Sequence, residues 1–296
     1  MGVVNVTPDS FSDGGRFFAP EAAASHARRL AQEGAEIIDI GGESSRPGAA
    51  PVSEREELER ILPVLERIAD LCVSVDTRRP AVMKAALAAG ASMINDIQAL
   101  AEPYALEAVA GTGCGVCLMH MKGQPATMQR EPQYDDVVAE VKAFLRDAVR
   151  KARFAGIGAD RIVIDPGFGF GKNAGHNLEI LRKLREFASL GQPVVAGLSR
   201  KSTLGHLTGR PVEERLAGSG RRRAGARAVA TNEELRAHLR LEPLDRRGQR
   251  GLRDMRMPCG GGDGPVLGDE QEMSERLEHE GIITKLDDDH HRNRLG

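Results

Sequence analysis

Tryptophan is absent from this chain, aromatic residues make up 3% of it, and cysteine occurs four times in 296 residues. With so few aromatics, the core has to be built mainly from Ala, Val, Ile and Leu, within an apolar content of 41%. Charge of one sign is lacking too: a formal net charge of -2 gives no overall attraction to nucleic acid or to an anionic membrane. No run approaches the roughly 18 apolar residues that span a bilayer, and no basic region followed by a cleavable apolar stretch opens the chain. The expectation is a cytoplasmic protein. Cys114-Gly115-Val116-Cys117 has the spacing of a redox or zinc pair, but it runs into a predicted strand, where positions three apart face opposite sides. With no second pair to complete a metal site, Cys72, Cys114, Cys117 and Cys259 read as core packing.

What is present is a repeat of one arrangement. A short apolar run is followed by a polar cluster, first as Gly2-Val3-Val4 before Asn5-Val6-Thr7-Pro8-Asp9-Ser10-Phe11. The same arrangement follows in Ile37-Ile38-Asp39-Ile40 before Gly41-Gly42-Glu43-Ser44-Ser45-Arg46-Pro47-Gly48, Val73-Ser74-Val75 before Asp76-Thr77-Arg78, and Met93-Ile94 before Asn95-Asp96. It recurs in Val116-Cys117-Leu118-Met119 before His120, in Ile162-Val163-Ile164 before Asp165-Pro166-Gly167-Phe168-Gly169-Phe170-Gly171-Lys172, and in Val194-Val195-Ala196-Gly197 before Ser199-Arg200-Lys201-Ser202. Seven buried strands with polar chemistry at their C-terminal ends read as a (β/α)8 TIM-type barrel, an architecture that forms one domain of about 250 residues.

Helical stretches fill the intervals: 20–33, 53–69, 80–89, 103–111, 134–155 and 176–188. Ser53 and Glu56 suggest a capping box, and Gly34, Gly90 and Gly156 stand where helices end in a left-handed residue. Strand–helix alternation requires parallel strands, because each return needs a crossover. The pattern fails after Ser219. Residues 220–296 are Arg-rich with scattered single apolar residues, and no eighth strand is recognisable there. This predicts an incomplete barrel over 1–219 and a divergent tail over 220–296, disordered or poorly folded.

The motifs just quoted resemble the dihydropteroate synthase family, the folate-pathway branch of the pterin-binding barrels, and occur in family order across residues 1–219. The resemblance implies a transferase that condenses 6-hydroxymethyl-7,8-dihydropterin diphosphate with p-aminobenzoate, giving 7,8-dihydropteroate and diphosphate. It also implies the site. Asp76, Asn95, Met119, Asp165 and Lys201 would bind the pterin, while Phe11, Ser45, Pro47, Phe170 and Ser202 would shape the p-aminobenzoate slot. Lys201, Arg46 and Asp76 would carry catalysis, and Asn5 would contact Mg²⁺. Two small-molecule substrates are implied, with no nucleic acid and no membrane, and a homodimer is the family's usual assembly. One departure is that the family's eighth strand carries an Arg-x-His motif which is not found here. The alternatives are therefore a pterin-binding barrel impaired in catalysis, and a methyltetrahydrofolate-dependent corrinoid methyltransferase.

Several of these residues also have plainer readings. A strand-end Asp taken alone is a helix cap, and an isolated Lys or Arg is a solvated charge. His120 reads as a packing or locally hydrogen-bonded residue rather than a base. The glycines of 167–171 let backbone approach a ligand, and the polar stretches 7–16 and 44–50 read as loops that order over substrate.

Overall fold

A computed structural model describes residues 1–7, 20–44, 49–125, 127–198, 201, 203, 282–284 and 286–287. Seven parallel strands follow the seven apolar runs: β1 (Gly2–Asn5), β2 (Ile38–Gly41), β3 (Val73–Asp76), β4 (Met93–Asp96), β5 (Gly115–Met119), β6 (Ile162–Asp165) and β7 (Val194–Ala196). Each pairs with its sequence neighbour, so the strand order is the chain order. Between them lie α1 (Pro20–Gln32), α2 (Glu54–Arg67), α3 (Pro80–Ala88), α4 (Ala105–Ala110), α5 (Val137–Phe154), α6 (Ala174–Arg182) and α7 (Arg185–Ala188).

The barrel is short of a regular eighth unit among the described residues. In its place, β8 (Ile282–Thr284) runs parallel to β7 and β9 (Leu286–Asp287) runs parallel to β1. One residue separates the two pieces. Both edges of the seven-stranded sheet are therefore met by a single short stretch of chain, which removes two exposed ladders. The sequence pattern passes over this stretch because three apolar-to-Thr positions among charged residues are too few to show a period.

Period-2 alternation sorts the side chains into two cores. Outward-facing Val4, Ile38, Ile40, Val73, Val75, Ile94, Val116, Leu118, Ile162, Ile164 and Val194 pack with the apolar faces of the helices. Inward-facing Met93, Cys117, Val163 and Val195 form a separate small cluster inside the barrel. Cys114 belongs to the outer core and Cys117 to the inner one, and both are free and buried. The CxxC spacing thus spans the sheet, as the alternation requires.

Local signals decide the helix ends. Gly34, Gly90 and Gly156 take φ of +100°, +98° and +95°, the left-handed endings expected of them. Ser53 accepts from the Glu56 backbone N–H at 3.2 Å, but the Glu56 side chain bonds Arg60 at 2.5 Å, so the expected capping box is only half made. The full box is at Asn173 and His176, with bonds of 2.8 and 3.3 Å. It starts α6 two residues before the periodicity does.

Candidate active site

The C-terminal rim of the sheet collects the polar residues. Val4, Ile40, Val75 and Ile94 face the helices, so Asn5, Gly41, Asp76 and Asn95 face inward. Met119 and Asp165 share their strands' inward face with Cys117 and Val163. The register runs Asn5 to Gly41 to Asp76 to Asn95 across four strands, and Met119 pairs with Asp165 across two more. Gly41 keeps the row open: a Cβ there would stand 3.5 Å from Asn5 Oδ1 and 3.7 Å from Asp76 Cβ.

Asn95 is fully buried and its Nδ2 donates to Asp39 Oδ2 at 3.0 Å. A carboxylate only accepts, which fixes the amide orientation and leaves Asn95 Oδ1 as the inward acceptor. That oxygen is buried and takes no hydrogen bond among the described residues. Such a group costs roughly 1–3 kcal/mol unless a ligand or water donates to it. Asp96, one residue on, faces the other way and accepts from the Gln98 and Leu100 backbone N–H groups, each at 2.8 Å. Burial pushes its carboxyl up to about 6. Asp96 thus caps the turn that follows β4, whereas Asn95 does not.

Asp165, 2% exposed, accepts the Gly167 N–H at 2.7 Å through Oδ1. The loop beyond it packs against the end of β5, because Gly167 and Gly171 (φ +70° and +63°) have no side chain: a Cβ on either would lie 1.9 Å from His120 O or 2.2 Å from Lys122 O. Lys201, from after β7, donates its ammonium to the Phe168 carbonyl and stands 4.7 Å from the centre of the Phe170 ring. Lys201, Phe170 and Asp165 thus gather on one glycine-rich loop. Phe11, Ser45, Arg46, Pro47 and Ser202 lie outside the described residues, as do most of the two loops expected to order over substrate.

His120 is 5% exposed, its Nδ1 lies 2.9 Å from Lys172 Nζ, and its ring stacks edge-on to Phe144 at 4.9 Å. Burial first, then the Lys172 charge, pull its value down to about 3, so the neutral ring is an acceptor and not a poised base. A folded-state value below the unfolded one gives stability that is full above about 6.5 and is lost as pH falls toward 3. The His120 contribution to the denaturant midpoint is accordingly expected to fall between pH 6.5 and 4, against the opposite contribution of the raised Asp96 carboxyl. His120→Gln should flatten that slope, and an unchanged slope in the variant would assign it elsewhere.

Sequence reasoning missed Asp39, whose carboxylate sets the Asn95 amide, and Lys172, the buried cation of the loop. Asp39 sits inside an apolar run that reads only as strand. Lys172 closes the glycine-rich motif after β6, but nothing in that motif marks it as buried.

Known proteins resemble this chain over most of its length. The family model for "Pterin binding enzyme" matches residues 1–232. A dihydropteroate synthase of Escherichia coli (strain K12) is 51% identical over 222 residues, which is 74% of this chain and 79% of that protein. Among solved structures, a Yersinia pestis dihydropteroate synthase with a sulfonamide drug complex superposes with TM-score 0.71 at 50% identity, covering 74% of this chain and 81% of that one. A Xanthomonas albilineans dihydropteroate synthase in complex with 7,8-dihydropteroate gives TM-score 0.67 at 50% identity over 79% and 82% of the two chains.

Proposed function

The chain belongs to the pterin binding enzyme family, and from that membership we propose that its barrel rim joins p-aminobenzoate to the methylene carbon of a dihydropterin diphosphate, the dihydropteroate synthase reaction of folate biosynthesis. The observation that carries the reading is the inward row Asn5, Asp76, Asn95 and Asp165, with a buried, unanswered acceptor on Asn95. A pterin's pyrimidinone edge is a line of N–H donors beside a carbonyl. Carboxylates at Asp76 and Asp165 and the acceptor of Asn95 are the complementary groups.

In the reaction, the C–O bond to diphosphate breaks, the arylamine nitrogen forms the new C–N bond, and that nitrogen releases a proton. The amine is neutral near pH 7, so no strong base is needed. The electron-rich dihydropterin supports positive charge at the methylene carbon, and the carboxylates holding its ring favour that charge. The chain's contribution is positioning and electrostatics. Lys201 and Phe170, already in contact, are placed by this reading beside the amine substrate and its carboxylate. Met119 supplies apolar surface to the pterin. Phe11, Ser45, Pro47 and Ser202 complete the p-aminobenzoate slot, and Arg46 meets the anion.

Magnesium fits this donor set. Mg²⁺ keeps several waters and binds substrate phosphates with one or two protein oxygens, and no cluster of three or more acidic, His or Cys ligands exists among the described residues. Asn5 Oδ1, open toward the Gly41 gap, is the oxygen that would hold the ion. Bound there, it would neutralise the departing diphosphate.

The unit that carries the activity is proposed to be residues 1–219, working in the cytoplasm, since a diphosphate ester does not cross membranes unaided, and as a homodimer. Mixing both substrates with Mg²⁺ is expected to release diphosphate and give dihydropteroate in equal amounts. Pterin binding without release would select the catalytically impaired reading instead.

A further inference from the structure

Lys172 has no part in the reading above. It is 2% exposed and among the largest fully buried side chains. A buried ammonium is costly unless its surroundings answer it. Here the answer comes from neutral acceptors: Gly167 O at 2.9 Å, Phe170 O at 3.0 Å, His120 O at 3.4 Å and His120 Nδ1 at 2.9 Å. Burial still pulls its pKa down to about 7, with the Asp165 charge favouring the cation and the Lys201 charge opposing it.

The acceptors explain why a lysine is there. Gly167, Gly169 and Gly171 all take positive φ, at +70°, +79° and +63°, which turns successive carbonyls of one short loop in different directions. Such backbone holds its shape only where the surroundings over-determine it. Every carbonyl from Gly167 to Gly171 has a side-chain donor. Lys172 takes Gly167 and Phe170, Lys201 takes Phe168, Gln129 takes Gly169, and the Tyr134 hydroxyl takes Gly171 at 2.9 Å. The Gly169 N–H is met by Asn177 Oδ1 at 2.9 Å.

Resting on the proposed function, we infer that Lys172 is the positioning residue of the site: its buried ammonium gathers the loop after β6 so that Asp165, Phe170 and Lys201 meet the substrates in register. The chain of contact is short. Lys172 holds the Gly167 carbonyl, the Gly167 N–H fixes Asp165 Oδ1, and the other Asp165 oxygen is left for the pterin. Through Phe170 O the same cation sets the ring beside Lys201. Lys172 itself touches no substrate.

The test is steady-state kinetics and calorimetric pterin titration of wild-type protein, Lys172→Met and Ile180→Val. Ile180 is a buried core residue of α6 outside this loop. Turnover by the wild type in the same assay establishes the parent reading separately, so its failure is visible before any variant is compared. Lys172→Met is expected to raise the KM and the Kd for the pterin about tenfold, while Ile180→Val lowers thermal stability and leaves both constants alone. A Lys172→Met protein that folds with unchanged pterin constants overturns the inference. If that variant does not fold, Lys172→Gln decides, because its amide can still donate to one of the two loop carbonyls: it should raise pterin KM twofold to fivefold, and an unchanged value overturns the inference.

Discussion

Gly167→Ala is expected to lower folding stability by about 3 kcal/mol or more, seen as a large fall in the urea midpoint at constant slope. Two effects add. Placing an L side chain at φ +70° costs roughly 1–2 kcal/mol by itself. The new Cβ would also stand 1.9 Å from the His120 carbonyl oxygen, a contact no rotamer relieves because both partners are backbone-fixed. Separating the loop from β5 would break the bonds Lys172 makes to both sides of the seam. Gly34→Ala isolates the first effect, since that glycine takes φ +100° with nothing within 4 Å of the added atom. It should cost about 1–2 kcal/mol, the strain alone. Equal losses in the two variants would show that the close approach at Gly167 relaxes freely, and that the loop is not clamped against β5.

The site row was legible because two periodicities coincide in the text. Polar residues follow each apolar run, and alternate positions share a face, so Asn5, Asp76, Asn95, Met119 and Asp165 could be assigned to one rim. The structure puts them there. The same rule separates Asn95 from Asp96, which differ in chemistry only by an amide yet bond the inward Asp39 and a helix-side turn. What stayed illegible depends on contacts between distant segments. Asp39 reaches Asn95 across 56 positions and Lys172 reaches His120 across 52. Each partner lies far outside the residue's own stretch of sequence, so the local pattern could not mark the contact. Boundaries failed for the opposite reason, local competition: Glu56 chose Arg60 over the Ser53 backbone, and Asn173 began α6 before its apolar face does. The stretch 282–287 was missed because it is short: Ile282, Ile283 and Thr284 are β-branched, but three residues show no period, and pairing on β7 and β1 completes the strand.

Asp165→Asn should cut kcat/KM for the pterin substrate by a factor of about 30 to 1,000, the equivalent of roughly 2–4 kcal/mol. The reason is a count of protons on hydrogen-bonding atoms. Asp165 Oδ1 already accepts the Gly167 N–H at 2.7 Å, and in the proposed function Oδ2 accepts from the pterin. An asparagine offers one oxygen and one NH₂ at those two places. Turned either way, it sets a donor against a donor, toward the loop or toward the ligand. Burial to 2% exposure leaves little room for water to mediate. Asp96→Asn is the matched control. Both of its oxygens accept backbone N–H groups on the helix side of the sheet, so the same exchange should lower the unfolding midpoint and leave pterin KM within about twofold. The contrast depends on Asp165 and Asp96 facing opposite sides of the strands. If Asp165→Asn keeps full pterin affinity while Asp96→Asn loses it, the inward row is not where the heterocycle binds.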